Sequence, residues 1–287
     1  MTGLTRVIAI LVVVMVSAPV MAAPALWTVH DDDSKIWIFG AIDNLPASVE
    51  WRTAVFDDAL ADADKVVFEV STDDAATIEA GKEFWARGLY TDGTLLTDLL
   101  DDDVEVTLRE AADFAGVTMG MVLSMRPWFA AAAVYVGSQG TYGLSDLNLA
   151  SRLQAELPEE RLVFLETTKE TFASLDGISE GDQLAMLAAA LHKIPVIPKA
   201  MDKRHTNWLR GTPEAVLDAY LLYSGLYSWT YVERIVYRRT ESWMPQVSDM
   251  LESNDENLLI IETANLIGDR GMLHLLEGAG YRVERVQ

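Results

Sequence analysis

The chain has 287 residues and no cysteine, and its 44 acidic side chains outnumber 22 basic ones for a formal charge of −22. The missing thiols exclude disulfides, a cysteine-linked lipid anchor, thiolate metal sites and cysteine nucleophiles. The charge disfavours nucleic acid and anionic membranes as partners and otherwise reads as a solvated acidic surface.

Met1–Ala23 has the layout of a secretory signal peptide. Arg6 supplies the positive start, and Val7–Val16 is an apolar run too short to span a bilayer but right for the core of a leader. Val20-Met21-Ala22 is the first candidate cleavage site, and Ala23-Pro24-Ala25 the second. No second long apolar segment follows. The mature chain, 24–287, is therefore expected to be a single domain without a transmembrane segment, exported to the periplasm or secreted.

Leu26–His30 and Ile36–Gly40 read as two strands joined by Asp31–Lys35, a β-hairpin with a longer loop than the two-residue kind. The three aspartates of that loop lack the spacing and glycine of a calcium loop. A helix is predicted around Val49–Ala61, followed by a buried strand at Val66–Val70. Residues 74–150 are mostly helical in pattern. Pro127 opens a nearly all-apolar segment to Val136, which Gly137-Ser138-Gln139-Gly140 is expected to end. A helix at Leu147–Glu156 precedes a second buried strand, Arg161–Leu165.

Thr212-Pro213-Glu214 has the marks of a helix start: a threonine cap, proline at the first position and an acid in the first turn. Beyond it come Tyr220, Tyr223, Tyr227, Trp229 and Tyr231. Such a stripe commonly packs in a core; it also suits an aromatic-rich helical lid or groove wall. Arg234, Arg238 and Arg239 then gather positive charge, for carboxylates or for an anionic ligand.

Leu258–Ile261 is the last strand predicted, four apolar residues ending at Glu262. Val66–Phe68 runs into Glu69 and Leu162–Leu165 into Glu166 in the same way. In one parallel sheet these three carboxylates would leave the strand ends where α/β proteins bind ligands. Alternatively, each simply ends an apolar run. Strands alternating with helical stretches predict an α/β fold: the hairpin feeding a central, largely parallel sheet flanked by helices.

No Gly-x-Ser-x-Gly, His-Glu-x-x-His, P-loop or Gly-x-Gly-x-x-Gly motif occurs. The four histidines, His30, His192, His205 and His274, show no ligand spacing, and each reads as a surface or capping residue.

Leu26-Trp27 with the hairpin into Gly40 opens a series of short matches that continues through Phe68-Glu69-Val70, Arg126-Pro127-Trp128 and Leu165-Glu166-Thr167. Leu175-Asp176 with Gln183, Trp208 with Gly211, and Arg239 with Trp243 follow. Leu266, Gly268, Gly271-Met272-Leu273 and Gly280-Tyr281-Arg282-Val283 complete it. In order and spacing these resemble the TraB/GumN family, which includes the Tiki metalloproteases. The resemblance covers nearly all of the mature chain.

It implies metal-dependent hydrolysis resting on two Gly-x-x-His motifs. Here they read Gly40-Ala41-Ile42-Asp43 and Glu262-Thr263-Ala264-Asn265, so both histidines are replaced. An Arg-Asn pair reads Arg239-Thr240, and an acid after Gly-Val reads Ser145, following Gly143-Leu144. Glu69, Glu166 and Arg239 remain. Carboxylate and amide oxygens suit hard cations rather than the transition metals that imidazole favours.

Two expectations follow. In the first, the metallohydrolase site is degenerate, and the protein binds a small ligand or an envelope protein or polysaccharide component, with no cofactor. In the second, Asp43 and Asn265 hold a divalent cation while Glu69, Glu166, Glu262 and Arg239 carry hydrolysis of a peptide or ester bond, or the carboxylates act directly as acid and base.

Overall fold

The computed structural model describes residues 22–144, 149–224, 229–253 and 255–287. Met1–Met21 of the leader lie outside the described residues, as do Ser145 and Tyr227.

Leu26–His30 (β1) and Lys35–Ala41 (β2) form the predicted hairpin, with Thr28 opposite Trp37 and His30 opposite Lys35. Asp31 closes the loop by accepting from the backbone N–H groups of Asp33 and Ser34 at 3.1 and 2.9 Å. That is the Asx turn expected of aspartate in a short loop. The three apolar runs are strands Lys65–Phe68 (β3), Leu162–Phe164 (β4) and Asn257–Glu262 (β5).

The sheet order is β4-β3-β5-β2-β1-β6. Its first four members run parallel, so Glu166, Glu69, Glu262 and Asp43 leave the same edge. The sixth strand, Arg282–Arg285 (β6), pairs antiparallel with β1 and places Val283 opposite Val29. It lies beyond the strand predicted to be the last. An Arg-Val-Glu-Arg strand on a sheet edge has no apolar run, because edges are commonly guarded by charge.

Helices cover both faces, which explains the near-continuous apolar central strands. Val67, Leu259 and Ile261 pack with Trp243, Val247 and Leu251 of helix Arg239–Glu252. Val66, Leu258 and Ile260 point the other way, to Phe56 and Trp208. A third buried cluster is helical. There Ala130, Ala131 and Val134 of helix Pro127–Thr141 meet Leu187, Ala190 and Leu191 of helix Glu180–Lys193.

Two helix boundaries differ from expectation. The helix predicted over Val49–Ala61 begins at Ala54, because Thr53 is its cap and accepts from Phe56 N–H. The Pro127 helix continues through Gly137 and Gly140 to Thr141. Gly137 is there for close packing: a Cβ on it would stand 2.5 Å from the carbonyl oxygen of Ala115. The predicted Thr212 start holds, with the helix running Pro213–Ser224.

Among the described residues one helical run, Glu180–Leu209, is long and apolar enough to cross a membrane by length and composition, with 44% of its most apolar stretch buried. It includes Lys193 and Lys199, so no long uninterrupted apolar run marks it in the sequence. Met186, Leu187, Leu191, Ile194 and Met201 of this run belong to the helical cluster just described, whereas Trp208 packs against the sheet.

Candidate functional site

Backbone hydrogen bonds carry the strand pairing past β3 and β4 into the site. Leu165 N–H donates to the Phe68 carbonyl at 2.9 Å, and Glu166 N–H to that of Glu69 at 3.0 Å. Glu69 Oε1 accepts from Glu262 N–H at 2.8 Å, tying β3 to the end of β5. Thr263 Oγ1 donates to the Ala41 carbonyl at 2.8 Å, and Trp208 Nε1 to that of Gly40 at 2.6 Å. The end of β2 is thus held from both sides just before Asp43.

Arg239 joins two of the predicted glutamates. Its Nη2 lies 3.0 Å from Glu69 Oε2 and 2.7 Å from Glu166 Oε1, and its Nε donates to the same Glu166 oxygen at 3.0 Å. Trp243 Nε1 donates to the other Glu166 oxygen at 3.0 Å, and its ring lies under the guanidinium at 4.9 Å. A π-helical segment, Glu233–Arg238, leads into Arg239, whose Nη1 donates back to the Ile235 carbonyl at 3.1 Å. Such wide turns recur where a helix must aim a functional side chain. The neighbouring arginines go elsewhere: Arg234 to the carbonyls of Asp176 and Gly177, Arg238 to Glu233.

Glu262 has its own cation, Arg204, which sequence reasoning missed. Nη2 of Arg204 stands 2.7 Å from Glu262 Oε1, close enough for an ion pair but out of line for a hydrogen bond. The guanidinium lies 5.5 Å from the Tyr220 ring. The signal available was position. Ile197, Ala200, Met201 and Trp208 form the buried face of helix Ile197–Leu209, and Arg204 sits on it, 6% exposed. An unpaired arginine at such a position is costly, so a partner is implied.

These environments move the protonation equilibria. Burial pushes Glu262 up to about 7, against the pull of Arg204 and with Asp43 nearby adding to the rise. Burial likewise raises Glu69, opposed by Arg239 and by the Glu262 N–H. For Arg204 and Arg239 burial opposes the charge, and the facing carboxylates more than offset it, so both are held more firmly protonated than usual.

The residues line a cleft of two lobes. The inner lobe, about 220 Å³, is bounded by Asp43, Glu69, Glu262, Arg239 and Asn265. The outer, about 320 Å³, is bounded by Asp43, Tyr135, Gln139 and Arg204. Tyr220 and Tyr231 line both. Part of the aromatic stripe is therefore a cleft wall. Five of the six predicted site residues meet at the inner lobe. Glu166 does not; it lies behind Arg239 and faces a separate groove that also includes Arg234 and Arg238. His192 and His274 are exposed, as a surface role requires.

Asp43 is exposed at the junction of the lobes, and Asn44 beside it has a left-handed backbone, φ 58°. Asn265 is 3% exposed, and its Nδ2 donates to the Val236 carbonyl at 3.1 Å and to Thr240 Oγ1 at 2.9 Å.

The donor set does not fit a divalent cation, which takes several oxygens at once. Glu69 is committed to Arg239 and to a backbone N–H, and Glu262 faces Arg204. Guanidinium groups already face both glutamates, where an ion would need open oxygens. Among the described residues, no group of three or more His, Cys, Asp or Glu is placed to share one ion.

A sequence model of the TraB/PrgY/gumN family matches residues 25–285. No curated protein and no solved structure matches the chain.

Proposed function

Since this chain belongs to the TraB/PrgY/gumN family, we propose that it is an exported, divergent member whose cleft binds a ligand without a metal ion. The ligand is a small molecule or a component of the cell envelope, protein or polysaccharide. The composition of Met1–Ala23 supports export. The observation that carries the binding reading is the pairing of Glu69 with Arg239 and of Glu262 with Arg204. Cations built into the protein stand where a metal site needs open oxygens.

A second contact supports it. Asn265 and Thr240 are two of the positions that depart from the family pattern, and they are hydrogen-bonded to each other at 2.9 Å. Together they read as a polar site rebuilt for packing.

The test is metal content. Residues 24–287 would be equilibrated with mixed divalent ions, without chelator, and analysed for elements. The proposal expects no stoichiometric ion, and one ion per chain overturns it. Uptake by the Asp43→His/Asn265→His variant alone would locate the lost site.

One observation favours a second reading, hydrolysis by carboxylates acting directly. Glu262, pushed up to about 7, is poised for acid–base exchange near neutrality. Turnover of peptide or ester substrates that disappears in Glu262→Gln, with the fold intact, would establish it.

A further inference from the structure

The charges of the cleft do not balance, and the remainder has a place. This step rests on the cleft being a ligand site. Its joined lobes present three carboxylates, Asp43, Glu69 and Glu262, and two guanidinium groups, Arg204 and Arg239. Glu262 faces Arg204 at 2.7 Å and Glu69 faces Arg239 at 3.0 Å. Arg239 is further committed to Glu166, a fourth carboxylate, which lies behind it. Asp43 is left over. Among the described residues no ion pair or hydrogen bond holds its side chain, which is exposed where the lobes join.

Tyr220 and Tyr231 line that same junction, Tyr220 with the Arg204 guanidinium already 5.5 Å from its ring, and Tyr135 lines the outer lobe. A carboxylate among aromatic rings suits an organic cation. The carboxylate supplies Coulomb attraction, and the negative ring faces add to it in a partly dry site. An anion would meet Asp43 and Glu262 there, with Arg204 already engaged, and would approach against a chain charge of −22. The outer lobe, about 320 Å³, has room for more than a bare ammonium head, and Ala132, Val136, Met201 and Ala219 give it apolar wall.

We propose that the cleft binds an organic amine cation carried on an apolar body, with Asp43 as counter-ion and Tyr220 and Tyr231 as flanking walls. Primary and quaternary amines share this chemistry and differ in one respect. A primary ammonium donates hydrogen bonds to Asp43, whereas a quaternary one depends on the rings.

The test is calorimetric titration of residues 24–287 with four probes that share one body: phenethylamine, its N-trimethyl derivative, phenethyl alcohol and hydrocinnamate. At least one cation should bind roughly tenfold or more tightly than the alcohol and the carboxylate, a gap of one decade or more in Kd. Asp43→Asn, at an exposed position that leaves the fold in place, should abolish that preference. Tyr231→Leu should weaken the trimethyl probe more than phenethylamine if the rings hold the head group. Three results overturn the proposal: equal or tighter binding of hydrocinnamate, cation binding that survives Asp43→Asn, or no binding of any probe. The failures are separable. Hydrocinnamate binding that is lost in Arg204→Met keeps a ligand site and overturns only the cation, whereas a stoichiometric metal ion overturns the ligand-site reading itself.

Discussion

Arg239 contacts Glu166 through two nitrogens and Glu69 through one, and its side chain is only 10% exposed. Removing the guanidinium leaves one buried and one half-buried carboxylate without their cation, and losing the cation of a buried pair typically costs about 3–5 kcal/mol. Arg239→Met should therefore lower the unfolding free energy by that amount, read as a lower urea midpoint at unchanged slope, and Arg239→Lys should recover only part of it, because an ammonium cannot fork between two acids. Glu262 gives the opposite kind of prediction. Its pKa is raised from 4.5 to about 7 in the folded protein. The folded state thus binds the proton more tightly, and the stability this gives is full below 4.5 and lost as pH rises through 7. The loss amounts to roughly 3 kcal/mol at most. Glu262→Gln carries no such proton, so melting curves from pH 4 to pH 8 should fall for the parent protein relative to the variant, and parallel curves would refute the shift. Glu69, Glu166 and Glu262 were legible as strand ends, since an apolar run that stops at an acid marks where a buried strand meets solvent, whereas Asp43 was reached only through the family resemblance, at the position of a Gly-x-x-His histidine. Arg204 was not, because its meaning lies in a partner on another element.

At the scale of elements, glycine shows how packing overrides propensity. In an ordinary helix interior, alanine is preferred to glycine by about 1 kcal/mol. Gly81, in helix Asp74–Gly88, has nothing within 4 Å of a built Cβ, and Gly81→Ala should raise the stability by about 0.4–1 kcal/mol. Gly137 meets backbone, the Ala115 carbonyl oxygen at 2.5 Å, which cannot swing away as a side chain does. Gly137→Ala should destabilise by roughly 1–3 kcal/mol despite the same gain in propensity. Thermal melts of the two variants should move in opposite directions, and a shared direction would mean that the helices are not in contact as described. The same physics limits what the chain shows in one dimension. The strands β2, β3 and β5 were legible because both their faces are buried. The end of the Pro127 helix was not, because a glycine that breaks a helix and one that lets another helix approach look alike in the sequence.

For the whole molecule, the sheet order separates stability from the site. β6 is the outermost strand at one end, whereas Glu69, Glu262 and Asp43 follow β3, β5 and β2. Beside β6, Arg285 Nη2 donates to the Gly211 carbonyl at 2.7 Å, and Gln287 Nε2 to that of Pro24 at 2.6 Å. The final segment thus covers β1 and ties it to the turn before helix Pro213–Ser224. Deleting 282–287 would uncover β1, whose Leu26, Trp27 and Val29 are buried, and present an unpaired strand edge to other molecules. The truncated protein should melt at a lower temperature and scatter light on warming, while its strand ends keep their geometry below the melt. Any ligand or probe that binds the cleft should then bind with little change in Kd at low temperature. Loss of binding together with stability would show that the edge strand and the cleft form one cooperative unit. Unchanged melting would show instead that β1 needs no cover. The chain charge of −22 bears on the same measurement, because self-repulsion opposes both compaction and association. Added salt should accordingly stabilise the intact chain and hasten aggregation of the truncated one.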